Sequence, residues 1–283
     1  MPKQASSYRF REAIVRRPGR SIVAGLRAMD RGNPDFERFQ AEHCEYVRVL
    51  EGAGVHVTVL NALEAFPDSV FIEDAALCLP EGIVMLRPGA RSRTGEAMAL
   101  APELVALGHV VIEHESEGFV DGGDVLVTDS EILIGLSERT DRQGCAWLQT
   151  LLEGWGHRVR AVRTPQGVLH LKSDCCVLDS DTVLATQRLA AAGCFSSLRV
   201  LTVPPGEEAA ANCLRVNDRV LVPAGFPGTA DRIAAAGYGV EVVPVSQANL
   251  LDGGLSCMSL RLPAAAVPVS YAERIPGRAN PSS

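Results

Sequence analysis

Four segments of this chain follow one plan, and that repeat restricts the fold more than any other feature. Residues 70–79 and 83–86 are apolar runs flanking Pro80-Glu81-Gly82. Residues 124–127 and 131–134 flank Asp129-Ser130, and residues 175–178 and 182–185 flank Asp179 to Asp181. Residues 211–216 and 219–222 flank Asn217-Asp218. Each pair reads as a β-hairpin, because its turn holds residues that accept tight backbone bends. A loop or helix and then another strand follow each hairpin. Successive turns lie roughly 40–50 residues apart, a period that suits a propeller or an array. An α/β fold is therefore expected, built from about five strand–strand–helix–strand units around a pseudo-symmetry axis. Functional residues should then sit at the inner strand ends. No linker-like stretch divides the chain, so a single domain is expected over residues 1–265. A tail, 266–283, is rich in Pro, Ala, Ser and Arg and is expected to be flexible.

Local signals fill in this frame. Ala13 to Val15 reads as a first strand, with a loop through Ser21 to Asp30. Asn33 and Pro34 suit a helix cap and first turn. Phe36, Phe39, Val47 and Leu50 then share one helical face, Gly52 or Gly54 ends the helix, and Val55 to Leu60 is a strand. Thr140 with Gln143 has capping-box spacing for a helix running to about Glu153, with Ala146, Leu148, Leu151 and Leu152 inward. Thr229 reads as the cap of a short helix ending at Ala236.

Bulk properties narrow the function. A net charge of -7 argues against a nucleic-acid surface and does not favour anionic membranes. It is compatible with a cationic small substrate. No apolar run reaches transmembrane length, and residues 1–20 lack a signal-peptide core. The eight cysteines include no C-x-x-C pair, so reduced thiols and a cytoplasmic location are expected. Metal-ligand spacing, a phosphate-binding P-loop and a dinucleotide fingerprint are all absent, so no metal and no cofactor are expected.

Several short stretches could carry chemistry. In Asp252-Gly253-Gly254-Leu255-Ser256-Cys257, a glycine pair delivers a cysteine to the head of the last apolar run. A thiolate is the strongest nucleophile a side chain offers, although an unpaired cysteine is most often a buried structural one. Asp68, Glu73 and Asp74 place three carboxylates within seven residues at the start of an apolar strand. Buried acids are costly without a cation, and a guanidinium ligand would supply one; a solvated loop is the plainer alternative. Val120-Asp121-Gly122-Gly123-Asp124 repeats the acid–glycine–glycine pattern. There Asp121 could orient a histidine and Asp124 could be structural, or the stretch could be a surface turn. His170 lies in an apolar run, where it could serve a cysteine or simply fill the core. Arg93 and Arg139 follow hairpins, where arginines could clamp a carboxylate or stay solvated.

Jointly, these residues resemble the dimethylarginine dimethylaminohydrolases, part of the guanidine-modifying superfamily that includes arginine deiminases and amidinotransferases. FPDSVFIED, RPGARSRTGE, VDGGD, GLSERT, LHLKS, AANC, VLVPAGFP and DGGLSCMSLR occur in the family's order, from about Arg11 to Leu262. The resemblance implies a five-bladed α/β propeller of ββαβ-type repeats. It also implies hydrolysis of methylated arginines to citrulline plus dimethylamine or methylamine through a covalent cysteine intermediate. By position, Cys257 is the nucleophile, His170 the general acid/base and Asp121 its orienting carboxylate. Glu73 and Asp74 hold the guanidinium, and Asp68 and the Leu251 carbonyl meet the α-amino group. Arg93 and Arg139 clamp the α-carboxylate, and Leu26 sits on a loop that closes over substrate. Lys172 stands where arginine deiminases carry an aspartate in a His-x-Asp pattern, which favours dimethylarginine over arginine. An arginine deiminase, an amidinotransferase or a silent binding protein for arginine-like ligands remain the alternatives. A small cationic substrate is the implied partner, and a homodimer is compatible with the resemblance.

Overall fold

The computed structural model describes residues 7–263, so the tail expected at 266–283 lies outside the described residues. Fifteen strands in that range form five three-stranded sheets. The chain begins with β1 (Phe10–Arg16), α1 (Phe36–Gly52) and β2 (His56–Leu60). The second unit is β3 (Ala76–Leu79), β4 (Gly82–Met85), α2 (Glu96–Ala106) and β5 (Val111–Ile112). The third is β6 (Val125–Val127), β7 (Ile132–Leu136), α3 (Arg142–Gly154) and β8 (Val159–Arg163). Next come β9 (Cys175–Val177), β10 (Thr182–Ala185), α4 (Gln187–Ala191) and β11 (Arg199–Thr202). The fifth comprises β12 (Leu214–Val216), β13 (Arg219–Pro223), α5 (Pro227–Ala235) and β14 (Gly239–Val243). A short α6 (Ser246–Asn249) precedes β15 (Ser259–Pro263), which pairs antiparallel with β1 and completes the first sheet.

All five sheets share one pairing rule. The middle strand runs antiparallel to one neighbour and parallel to the other, with the helix in the parallel crossover. This is the ββαβ unit that the hairpin spacing predicts. The middle strands explain the unbroken apolar runs: Ile132, Leu133 and Ile134 are fully buried, as are Val220, Leu221 and Val222. A strand covered on both faces has no solvent side on which to place polar residues. The outer parallel strands are half-wet, and Val59 and Val242 are exposed.

Several boundaries differ from expectation. Helix α1 is capped by Asp35, whose carboxylate accepts from the Arg38 amide at 2.7 Å, and not by Asn33. Asp141, accepting from the Gly144 amide at 2.8 Å, caps α3 in place of Thr140. The Thr140 hydroxyl donates instead to Asp124 at 2.7 Å. The buried face of α3 is Cys145, Leu148 and Leu152, while Ala146 is exposed. Helix α5 starts at Pro227, so Thr229 lies within it and donates to Glu207.

The inner strands begin later than the apolar runs suggest. A tight 3-10 turn precedes each one: Ile72–Ala75, Gly122–Asp124, Leu171–Ser173, Glu208–Ala211 and Ser256–Met258. These turns touch one another in series. They bring the polar residues of five distant segments to one place while the apolar residues behind them pack into five clusters. No helix among the described residues is long and apolar enough to cross a membrane.

The turns approach so closely that a Cβ on Gly122 would fall 1.9 Å from the Glu73 carbonyl oxygen. Gly122→Ala should therefore destabilise the fold by about 3 kcal/mol, the upper part of the overpacking range. Urea unfolding measures this, and an unchanged midpoint would contradict the packing described.

Candidate active site

One cavity of about 210 Å3 collects most of the residues singled out from sequence. Cys257, His170, Asp121, Asp74, Asp68, Arg93, Arg139, Leu26 and Leu251 all line it. They come from separate segments, and the turns ahead of the inner strands deliver those that carry chemistry. Cys257 lies in the turn before β15, Asp74 in the turn before β3. Asp121 and His170 cap the turns before β6 and β9.

His170 Nε2 lies 3.0 Å from Asp121 Oδ2, and both residues are buried. The other Asp121 oxygen accepts from the Gly89 amide at 2.7 Å, which fixes the carboxylate plane. Burial works against an imidazolium here, but Asp74, Asp121 and Asp124 outweigh it and raise His170 to about 9. Cys257 behaves oppositely. Burial, then the Glu73 and Asp74 carboxylates, push its thiol up to about 11, against opposing donors on Gly254 and Asn212. The resting site thus pairs a neutral thiol with a protonated histidine near neutral pH.

Asp74 keeps its charge. Burial opposes it, but His170, Arg93 and the Gly123 amide together hold its carboxyl below the ordinary range. Arg93 donates to Asp74 at 2.5 Å and bidentately to Glu96 at 2.6 and 2.7 Å. It also donates to the Phe71 carbonyl at 2.9 Å. Arg93 lines the cavity with its guanidinium already engaged at Nε and both ends. Arg139, half-buried, makes no hydrogen bond through its guanidinium among the described residues and acts on Asp68 through its charge.

The expected pair of guanidinium-binding acids is split. Glu73 does not line this cavity. Its carboxylate faces a second cavity, where it accepts from Lys172 Nζ at 2.7 Å, from Ser256 Oγ at 3.1 Å and from Arg261. Lys172 and Arg261 went unread as its partners in the sequence, where the only signal was a lysine two residues beyond a candidate histidine.

The partners of two further acids emerge only in three dimensions. Asp124 is buried and accepts from Ser137 Oγ at 2.6 Å, Thr140 Oγ1 at 2.7 Å and the Leu171 amide at 2.9 Å. It thereby ties the loop carrying Arg139 to the backbone carrying His170. Burial raises it to about 6 despite these donors and His170. Asp252 adopts a left-handed φ of 56° and accepts from the Ala28 amide at 2.5 Å. Together with Asp68, which accepts from the Leu26 amide at 2.9 Å, it fastens residues 26–28 to the cavity rim.

Among the described residues, the one group able to ligate a metal is Asp74, Asp121 and His170, with ligand atoms within 4.8 Å of one another. Asp121 is spent on His170 and Gly89, and Asp74 on Arg93 and Gly123, so the donor set is already satisfied within the protein.

Comparison with known proteins agrees with this geometry. A family profile described as N,N dimethylarginine dimethylhydrolase, eukaryotic, matches residues 33–179. The N(G),N(G)-dimethylarginine dimethylaminohydrolase of Pseudomonas aeruginosa is 38% identical over 253 residues, covering 89% of this chain and 99% of that protein. The chain belongs to the dimethylarginine dimethylaminohydrolase family. The Streptomyces coelicolor member is 32% identical over 89% of this chain and 97% of its own length. A crystal structure of the Pseudomonas family member, a Cys-to-Ser mutant complexed with citrulline, superposes with a TM-score of 0.86 at 37% identity. It covers 90% of this chain and 100% of that one. A His-to-Gly variant of a dimethylarginine dimethylaminohydrolase, solved as its adduct with S-methyl-L-thiocitrulline, gives 0.85 at 38% identity, covering 89% of this chain and 100% of that one. The N-terminal domain of a cyanobacterial arginine dihydrolase, 19% identical, shares the fold with a TM-score of 0.80 over 91% of this chain and 99% of that one.

Against burial, Asp74 and then the Asp121 contact are the largest influences that favour a charged His170. Because His170 is raised above its ordinary 6.5, the stability its proton contributes is complete below about pH 6.5 and is lost as pH rises through about 9. Histidine NMR should show His170 titrating near 9, and Asp121→Asn should lower that midpoint by about one unit or more. An unmoved midpoint would dissociate the pair.

Proposed function

We propose that this protein hydrolyses Nω-methylated arginines to citrulline and dimethylamine or methylamine. The observation that carries this reading is the convergence of Cys257, His170, Asp121, Asp74, Asp68 and Arg139 on one cavity. Family membership and the citrulline held by the Pseudomonas relative point the same way. The five units are arranged as blades of one α/β propeller, forming a single catalytic domain over residues 1–265. The serial contacts between turns and the β15–β1 pairing support this. All eight cysteines are free thiols, in keeping with a reducing cytoplasm.

Substrate enters as a cation with a carboxylate and an ammonium at its far end. Arg139 meets the carboxylate with unused donors, and Asp68 with the Leu251 carbonyl meets the ammonium. Leu26 and its neighbours cover the opening. Asp74 holds the planar guanidinium against Cys257, turning a bimolecular attack into a local one. Burial and then the Glu73 and Asp74 carboxylates keep the thiol protonated; the incoming positive charge offsets those carboxylates, so ionisation follows binding and the thiol proton leaves to solvent.

The thiolate attacks the guanidinium carbon and forms a C–S bond. His170 donates its proton to the methylated nitrogen as the C–N bond breaks, because an amine anion is not a viable leaving group. A thiouronium on Cys257 and a free amine result. Neutral His170 then takes a proton from water as the hydroxyl attacks the same carbon. Collapse of that adduct breaks the C–S bond and releases citrulline, and the proton on its new hydroxyl passes by way of solvent to the departing thiolate, restoring the resting thiol. Asp121 keeps the imidazole oriented throughout.

The methylated substrate follows from the acceptor count. A methylated nitrogen offers fewer N–H groups, and this site offers fewer acceptors at the guanidinium end. Glu73 is turned away and Lys172 is committed to it, leaving Asp74.

Purified protein given asymmetric dimethylarginine, monomethylarginine and arginine separately should yield citrulline with dimethylamine and methylamine from the first two, and little from arginine. Cys257→Ser should lose turnover and retain binding. No citrulline from either methylated substrate would overturn the proposal, and ammonia released efficiently from arginine would make the protein a deiminase.

The two neighbouring acids should separate in kinetics. Asp74→Asn should lower kcat/KM by about 100-fold or more, whereas Glu73→Gln should leave KM within about 3-fold and lower Tm through lost Lys172 and Arg261 pairing. Equal kinetic losses in both variants would restore Glu73 to the substrate site.

A further inference from the structure

Four of the five turns supply a chemical group to the site: Asp74, Asp121, His170 and Cys257. The turn Glu208–Ala211 occupies the equivalent place in the remaining unit, and Asn212 follows it directly. Asn212 is only 4% exposed. Its Oδ1 accepts from the Ser256 amide at 3.1 Å. That N–H can only donate, so the orientation of the side-chain amide is fixed and Nδ2 must face the other way. There it donates to Cys257 Sγ at 3.4 Å. Gly254 is glycine for the same reason: a Cβ would stand 2.4 Å from the Asn212 amide carbon. The amide is wedged between the backbone on either side of the nucleophile.

We propose that Asn212 is a catalytic residue of this enzyme, donating a hydrogen bond to Cys257 whenever its sulfur is anionic. The proposal rests on the assignment of Cys257 as nucleophile. The groups around the sulfur explain why such a donor is needed. Glu73 and Asp74 oppose a negative sulfur from the turn before β3, Tyr46 is buried behind it, and His170 lines the same cavity. Asn212 and the Gly254 amide are the neutral donors set against those carboxylates. A hydrogen bond to an ionised acceptor is roughly twice as strong as a neutral one, so Asn212 favours thiolate over thiol and over the thiouronium. The bond is made before attack, relaxes as the C–S bond forms, and is made again when that bond breaks. The residue therefore acts on both halves of the reaction without exchanging a proton.

The test follows Cys257 directly. Asn212→Ala removes the donor, and Asn212→Asp removes it while keeping an acceptor for the Ser256 amide. Alkylation of Cys257 by iodoacetamide is followed by peptide mass spectrometry from about pH 6 to 10, below the midpoint near 11, where the rate is proportional to the thiolate fraction and an upward shift of the midpoint reads as a proportional loss of rate. Turnover of asymmetric dimethylarginine is measured beside it. Both variants should shift the alkylation midpoint upward and lower kcat about 10- to 100-fold, with KM within about 3-fold. A merely structural role would lower Tm without moving the alkylation profile. The proposal is overturned if Asn212→Ala alkylates with the wild-type midpoint and keeps the wild-type kcat. It is also overturned if only Asn212→Asp moves the midpoint, since added charge would then be the cause. Cys257→Ser separates the two layers: an inactive serine variant beside a normal Asn212→Ala variant removes Asn212 alone, whereas an active serine variant removes the nucleophile itself.

Discussion

A carboxylate taken out of water must find a cation or a set of donors, and this fold buries six around one region. Asp68, Glu73, Asp74, Glu96, Asp121 and Asp124 are each less than one-tenth exposed. Asp68 accepts from the Leu26 amide. Glu96 and Asp74 share Arg93, and Glu73 takes Lys172 and Arg261. Asp121 takes His170, and Asp124 relies on two hydroxyls and an amide. Removing one partner from such a pair leaves an uncompensated buried charge, typically about 3–5 kcal/mol of destabilisation. The network therefore fixes the turns relative to one another, and the turns fix the cavity.

The same arrangement produces the reactivity. Burial and then the surrounding negative charge suppress a thiolate, pushing Cys257 up to about 11, and the same negative charge outweighs burial to sustain an imidazolium, raising His170 to about 9. Left empty, the cysteine is a poor nucleophile and is protected from stray electrophiles. In the proposed reaction a guanidinium relieves the excess charge and at the same time presents the carbon to be attacked. Binding and activation are one electrostatic event.

Much of this was legible in the sequence, and what was missed shares a cause. Hairpin spacing gave the repeat because turn chemistry is local. Cys257, His170, Asp121 and Asp74 stood out as candidates beside glycine or apolar patterns, and the family resemblance supplied the roles expected of them. Partners across the fold carry no such signal: nothing at Lys172 or Arg261 announces Glu73. Caps slipped from Asn33 to Asp35 and from Thr140 to Asp141 because neighbouring residues share the capping chemistry, and packing chose between them. The inner strands were read too long because a buried 3-10 turn and a buried strand have the same apolar composition. The direction of Glu73 was hidden for a related reason: a run of two acids shows that charge is buried there, but not which cavity each one faces.

The pairing of β15 with β1 has a bearing on how the molecule comes into being. Val15 meets Ser259 across roughly 240 residues of intervening chain, the most distant strand pairing in the protein. Closing so long a loop costs more entropy than forming any of the four other sheets, whose partners lie within one unit. Those units can assemble as the chain emerges, but the first sheet waits for the last strand. Cys257 sits immediately before that strand. The proposed nucleophile is therefore installed at the close of folding, so a half-finished chain carries the acids and the histidine without the sulfur that the proposed reaction needs.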